Sequence, residues 1–194
     1  YCWYRGPDNK GKPAGEQPSY LGHAIHDGLF KARFSKQFSF AIMWENQSLA
    51  RGVASRADLL DNLLAYWIED YFKKPGYLKV DGKPVLFVYH LQRLLEDLGG
   101  VENTRAALDA MRDRCRKAGF PGVLLLAEYR GDDASVLRRI KDSGFDASFA
   151  YCWHTKQQRP LPSQPSSERS SGSAGTPRRR KPSSTRREEP LRVR

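Results

Sequence analysis

Tyr77-Leu78-Lys79-Val80-Asp81-Gly82-Lys83-Pro84-Val85-Leu86-Phe87-Val88-Tyr89 decides the fold. Asp81-Gly82 is a tight-turn pair, which folds a short lead-in, Tyr77–Val80, back onto a strand, Lys83–Tyr89. The strand itself is apolar from Val85 to Tyr89 without alternation, the pattern of a strand covered on both faces in a parallel sheet. Four further runs have the same β-rich character: Tyr1-Cys2-Trp3-Tyr4, Phe38 to Trp44, Val123 to Ala127, and Ala147 to Tyr151.

Between these runs the apolar residues recur every three or four positions, the period of an amphipathic helix. Leu21, Ile25, Leu29 and Ala32 mark one helix. Leu60, Leu63, Leu64, Trp67, Ile68 and Tyr71 mark a second, opened by Ser55 or Asp58. Leu108, Met111, Cys115 and Ala118 mark a third, and Val136, Leu137 and Ile140 a shorter fourth. Gly119 and Gly144 stand where helix C-caps belong. The order β-α-β-α-β-α-β-α-β requires parallel strands joined by right-handed crossovers.

An eight-unit (β/α) barrel allots about 31 residues to each unit, so residues 1–154, with five strands, match five-eighths of a TIM barrel. The competing architecture, an open doubly wound sheet, usually binds phosphate at a Gly-rich first turn. Here Gly6-Pro7-Asp8-Asn9-Lys10-Gly11-Lys12-Pro13 approaches the phosphate-loop pattern but puts Pro13 where the metal-binding hydroxyl is needed. It reads instead as a mobile polar loop at the barrel mouth. The fold class is therefore α/β, an incomplete (β/α)8 barrel, with residues missing upstream of Tyr1. Two open sheet edges predict poor solubility for such a fragment alone.

The formal charge of +11 is unevenly placed. Residues 155–194 hold 11 Lys/Arg against 3 Asp/Glu, with six Pro, eight Ser and no aromatic residue, while residues 1–154 hold 22 basic against 19 acidic side chains. Such a tail cannot bury enough apolar surface to fold and is expected to be disordered. It reads as out-of-frame translation in place of the remaining barrel. Its basic run, within 178–194, would bind nucleic acid only nonspecifically.

Cys2, Cys115 and Cys152 have no metal or disulfide spacing and favour a reducing compartment such as a bacterial cytoplasm. There is no membrane span in the sequence, since no apolar run approaches ~20 residues. Neither a cofactor nor a metal is called for. His23 and His26 lack an H-E-x-x-H context and read as helix packing, and no G-x-S-x-G elbow is present.

Active sites of parallel barrels lie at the carboxyl ends of the strands. These ends are Trp3-Tyr4, Trp44-Glu45-Asn46, Tyr89-His90, Glu128-Tyr129 and Tyr151-Cys152-Trp153-His154. Aromatic plates beside carboxylate, amide and imidazole groups fit sugars, which present flat C–H faces and dense hydroxyls. The expected partner is an oligo- or polysaccharide. Its candidate contacts are Trp3, Tyr4, Trp44, Glu45, Asn46, Tyr89, His90, Glu128, Tyr129, Tyr151 and Trp153. Glu45 and Glu128, two strands apart, are the candidate catalytic carboxyl pair.

Phe40-Ala-Ile-Met-Trp-Glu-Asn46 and Tyr71-Phe-Lys-Lys-Pro-Gly-Tyr-Leu-Lys-Val-Asp-Gly-Lys-Pro-Val-Leu-Phe-Val-Tyr89 resemble the glycoside hydrolase family 99-like domain of the WbsX type. Tyr1-Cys-Trp-Tyr4, Leu21-Gly-His-Ala-Ile-His26 and Phe145-Asp-Ala-Ser-Phe-Ala-Tyr151 extend the resemblance over nearly all of residues 1–154. It implies a TIM barrel associated with endo-acting mannosidases and with polysaccharide biosynthesis, whose members are often called glycosyltransferases. It also implies that the catalytic glutamate pair lies beyond the aligned residues, and that Glu45 is a substrate-contacting carboxylate with Trp44, Asn46 and Tyr89 as neighbours. The alternatives are a non-catalytic glycan-binding barrel and a nucleic-acid binder led by the basic tail.

Overall fold

The computed structural model describes residues 1–6, 9–12 and 21–152. Six strands form one sheet: β1 (Cys2–Trp3), β2 (Ile42–Trp44), β3 (Lys79–Val80), β4 (Lys83–Val88), β5 (Leu124–Glu128) and β6 (Ala147–Phe149). The path runs β1-β2-β4-β5-β6, all parallel, with β3 paired antiparallel to β4. Strands thus neighbour one another in chain order. A doubly wound sheet would reverse direction at a switch point, and this one does not; the order is that of a barrel wall.

The β3–β4 hairpin forms where Asp81-Gly82 predicts it, with φ of 50° and 75° at the two turn residues. The buried Tyr77 hydroxyl donates to the Val85 carbonyl at 2.7 Å and accepts from the Ile42 N–H at 3.3 Å, tying the start of β2 to β4. The run from Phe38 shortens to Ile42–Trp44, because Phe40 makes only an isolated bridge to Tyr77.

Four helical elements cover the outer face: α1, built from Asp58–Leu64, Ala65–Trp67 and Ile68–Phe72 with wide turns at both ends, α2 (Leu91–Leu98), α3 (Val101–Lys117) and α4 (Ala134–Asp142). The Ser55 hydroxyl accepts from the Asp58 N–H at 3.1 Å and opens α1. Gly119 and Gly144 follow α3 and α4 at φ of 93° and 89°, as helix-ending glycines do.

Three expectations are corrected. The helix expected over Leu21 to Ala32 is a series of short turns, Ala24–Gly28 and Leu29–Lys31, in which only Ile25 is buried. It breaks at Gly28, whose φ and ψ of −85° and −84° are not helical. The β4–β5 crossover carries two helices and not one, since α2 precedes α3 and ends on Gly99 in the left-handed conformation. Coverage on both faces holds for β2, where Ile42, Met43 and Trp44 are all buried, but not for the whole sheet. In β5 burial alternates, with Leu125 and Ala127 fully buried on the helix side and Leu124, Leu126 and Glu128 half-buried on the concave side.

Candidate functional site

Parallel pairing places side chains of partnered residues on the same face of the sheet. Cys2, Met43, Phe87, Leu126 and Ala147 are linked in register across five strands. Two residues further along each strand, on the same concave face, come Tyr4, Glu45, Tyr89, Glu128 and Phe149. This second row is the carboxyl-end layer. A cleft of about 230 Å³ opens over it, lined by Cys2, Tyr4, Met43, Glu45, Gln47, Arg51, Tyr89 and Tyr151.

The rule that unites this row also divides the expected site. Successive residues of a strand point to opposite faces, so only one of each adjacent pair reaches the cleft. Tyr4, Glu45, Tyr89 and Tyr151 line it, and Glu128 continues the row beside them.

Trp3 and Trp44 face the other way and are corrected from sugar plates to core. Each is 1% exposed, and they pack on Trp67 of α1 at ring-centroid distances of 5.3 and 5.5 Å. Asn46 is fully buried and bridges two loops, donating to the His90 carbonyl at 2.9 Å and accepting from the His90 N–H at 2.8 Å. His90 itself caps α2, its Nδ1 accepting from the Arg93 N–H at 3.1 Å. Tyr129 braces the loop before α4 through a hydrogen bond from its hydroxyl to the Asp133 carbonyl at 2.9 Å. These three serve the framework and not the cleft. Trp153, and the expected tail from 155 to 194, lie outside the described residues.

Two arginines that sequence reasoning missed complete the site. Arg51 forms an ion pair with Glu45 and stacks on the Tyr4 ring, its guanidinium 4.8 Å from the centroid. Arg130 pairs with Glu128 at 2.5 Å, donates to the Tyr89 hydroxyl at 3.3 Å and to the Cys152 sulfur at 3.4 Å, and lies 5.7 Å from the Tyr89 ring centroid. The hydrogen bonds to Cys152 and Tyr89, with the Glu128 charge, raise the Arg130 pKa. Burial, followed by the neighbouring Cys2, raises the Tyr4 phenol above its ordinary value, so it stays a neutral hydroxyl at neutral pH. The signal for these arginines was local: each follows an inward carboxylate by a few residues, at positions 45 and 51 and at 128 and 130.

The loops that carry these groups are anchored beneath by Arg5 and Asp58, which are 1% and 4% exposed. The guanidinium meets the carboxylate through two bonds of 2.7 Å and also donates to the Gly52 and Lys12 carbonyls. Asp58 further accepts from the Gly11 and Ala54 N–H groups and from Asn62. Burial pushes the Asp58 carboxyl up, but bonds from Arg5, Ala54 and Asn62 outweigh it and hold its pKa below the usual aspartate value. The described part of the Gly6–Pro13 loop is therefore fastened and not mobile: Asn9 is buried, and the Lys10 ammonium reaches the Leu49 carbonyl at 2.9 Å.

His26 bonds to the Tyr71 hydroxyl at 2.9 Å within an aromatic cluster on the helix side. Among the described residues no group of three His, Cys, Asp or Glu could hold a metal, and no helix is long and apolar enough to cross a membrane.

Fold and cleft together define an α/β domain with the strand order of a barrel wall and a cleft at the carboxyl ends of its parallel strands. Residues 29–185 match the family described as glycosyltransferase WbsX, and the chain belongs to that family. Among solved structures it is similar to the family 99 endo-α-mannosidase from Bacteroides thetaiotaomicron, with a TM-score of 0.48 and 15% identity over 78% of this chain. The chain spans 40% of the length of that enzyme. No curated protein matches it.

Proposed function

We propose that the cleft holds a sugar unit of an oligo- or polysaccharide of the mannose type, as part of a protein that transfers or hydrolyses glycosyl groups. The observation that carries this reading is the single concave row Tyr4, Glu45, Tyr89, Glu128 at the carboxyl ends of neighbouring strands. Tyr4 and Tyr89 offer ring faces for sugar C–H bonds, and the charged pairs around them offer acceptors and donors for hydroxyls.

Glu45 and Glu128 act here as substrate contacts. One whole strand, β4, stands between theirs, which sets their columns about 10 Å apart at ~4.8 Å per strand. Each carboxylate, moreover, is paired with its own arginine.

Glu45→Gln is expected to weaken binding of oligomannosides by roughly 10- to 100-fold, since a charged hydrogen bond is worth about 1.5–3 kcal/mol. Titration calorimetry of both proteins against the same oligosaccharides measures this. Unchanged affinity in the variant would remove Glu45 from the site. Turnover that disappears with either glutamate would instead make the two a catalytic pair, and binding without turnover would make the chain a glycan-binding barrel.

A further inference from the structure

A second concavity lies at the opposite end of the strands from the cleft, where the chain enters β2 and β3. It has a volume of about 480 Å³ and is walled by the segment from Ser35 to Phe40, by Lys74-Pro75-Gly76, and by Leu29 and Phe30. Around it, large apolar side chains stand in water: Phe34 is 53% exposed, Phe38 60% and Leu78 38%. The segments that carry them adjoin. The Phe38 carbonyl lies 2.9 Å from where a side chain on Gly76 would begin, and the Leu78 N–H donates to the Phe40 carbonyl at 2.7 Å. Phe34 leads directly into the short turn Ser35–Gln37 of the wall.

The charge of the concavity's wall has one sign. Lys36 and Lys74 belong to the wall, which contains no carboxylate. Arg33 stands over the Phe34 ring at 5.1 Å, and Lys74 over the Phe30 ring at 5.4 Å. Lys31 and Lys73 nearby are neutralised by Asp27 and Glu69. Arg33, Lys36 and Lys74 have no such partner among the described residues.

Exposed aromatic rings interleaved with unpaired cations meet both requirements of an interfacial anchor: apolar bodies for the headgroup boundary and positive charge for anionic lipid. Nucleic acid would use the cations and could stack on the rings, but would leave the aliphatic Leu78 uncovered. We propose that this amino-end face docks on a bilayer surface containing anionic lipid, with Phe34 and Phe38 seated at the headgroup boundary. The glycan cleft, at the other end of the strands, then opens away from the membrane.

The test uses the full chain carrying Phe38→Trp, mixed with vesicles of phosphatidylglycerol and phosphatidylcholine or of phosphatidylcholine alone, at about 0.15 M salt. The emission added by the substitution should shift to the blue and be quenched by brominated acyl chains on the anionic vesicles, and much less on the neutral ones. In a second measurement, Phe34→Ser with Phe38→Ser should lower vesicle partitioning by about tenfold or more; both side chains are largely exposed, so the core is spared. Residues 155–194 carry a net charge of +8, and sedimentation with anionic vesicles is expected from that charge alone. Sedimentation without the emission shift, or equal sedimentation of parent and double variant, would therefore overturn the proposal. So would an emission shift produced by an oligonucleotide, or by raising the protein concentration without lipid.

Discussion

Asp58→Asn is expected to destabilise the folded chain by about 3–5 kcal/mol, because it leaves the Arg5 guanidinium buried without its anion. Few single changes in this protein should cost more. The carboxylate it removes takes five hydrogen bonds, from Arg5 twice, Gly11, Ala54 and Asn62, so the loops after β1 and β2 lose their common anchor together. Urea denaturation of parent and variant at neutral pH measures the difference. Replacing both partners, Arg5→Met with Asp58→Leu, should recover part of the loss, since the unpaired charge then disappears with its partner. A double variant as unstable as the single one would show that backbone hydrogen bonding to Asp58, and not charge burial, dominates.

The same carboxylate gives a pH signature. Its pKa is lower in the folded chain than the ~3.9 of an unfolded aspartate, so between the two values the unfolded chain binds more protons. Stability from Asp58 is therefore complete above the unfolded pKa and is lost as pH falls through the folded one. The gap between parent and Asp58→Asn should be constant from pH 5 to 7, on the order of the neutral value, and should narrow as acid is added. A gap that widens in acid would contradict the assignment.

What the sequence disclosed and what it hid follow from the range of the interactions involved. Asp81-Gly82 and the glycines at 119 and 144 act within a few residues, and the hairpin and both helix ends lie where local chemistry puts them. Strand order followed from alternation of β and α runs. The α2 helix was hidden because its Leu91, Leu94, Leu95 stripe is short and follows a strand without a loop, leaving His90 looking like the end of that strand. Arg5 was hidden for another reason: its partner is 53 residues away, and no local pattern announces a buried ion pair. The site was half legible. Residue types at the strand ends were informative, but side-chain direction is set by register. Reading adjacent residues as neighbours in one site ignored the two-residue period that sends Trp3 and Trp44 to the core.

That division of faces can be tested by opposite outcomes at adjacent positions. Trp44→Ala should cost about 3–5 kcal/mol, the range for emptying a large aromatic site in a packed core, because the ring contacts Trp67 and its Nε1–H holds the Arg51 carbonyl at 3.0 Å. Its effect on sugar affinity per folded molecule should be small beside its effect on stability. Tyr4→Ala should behave the other way. Tyr4 is half-buried on the concave face, so its loss should move the urea midpoint much less and lower oligosaccharide affinity by about tenfold, as expected for one stacking surface. Where Trp44→Ala leaves too little folded chain to titrate, Trp44→Phe keeps most of the packing and allows the same comparison. A Trp44→Phe variant that binds sugar tenfold more weakly while keeping the parent's stability would turn Trp44 toward the cleft, and with it the register on which the whole site is built.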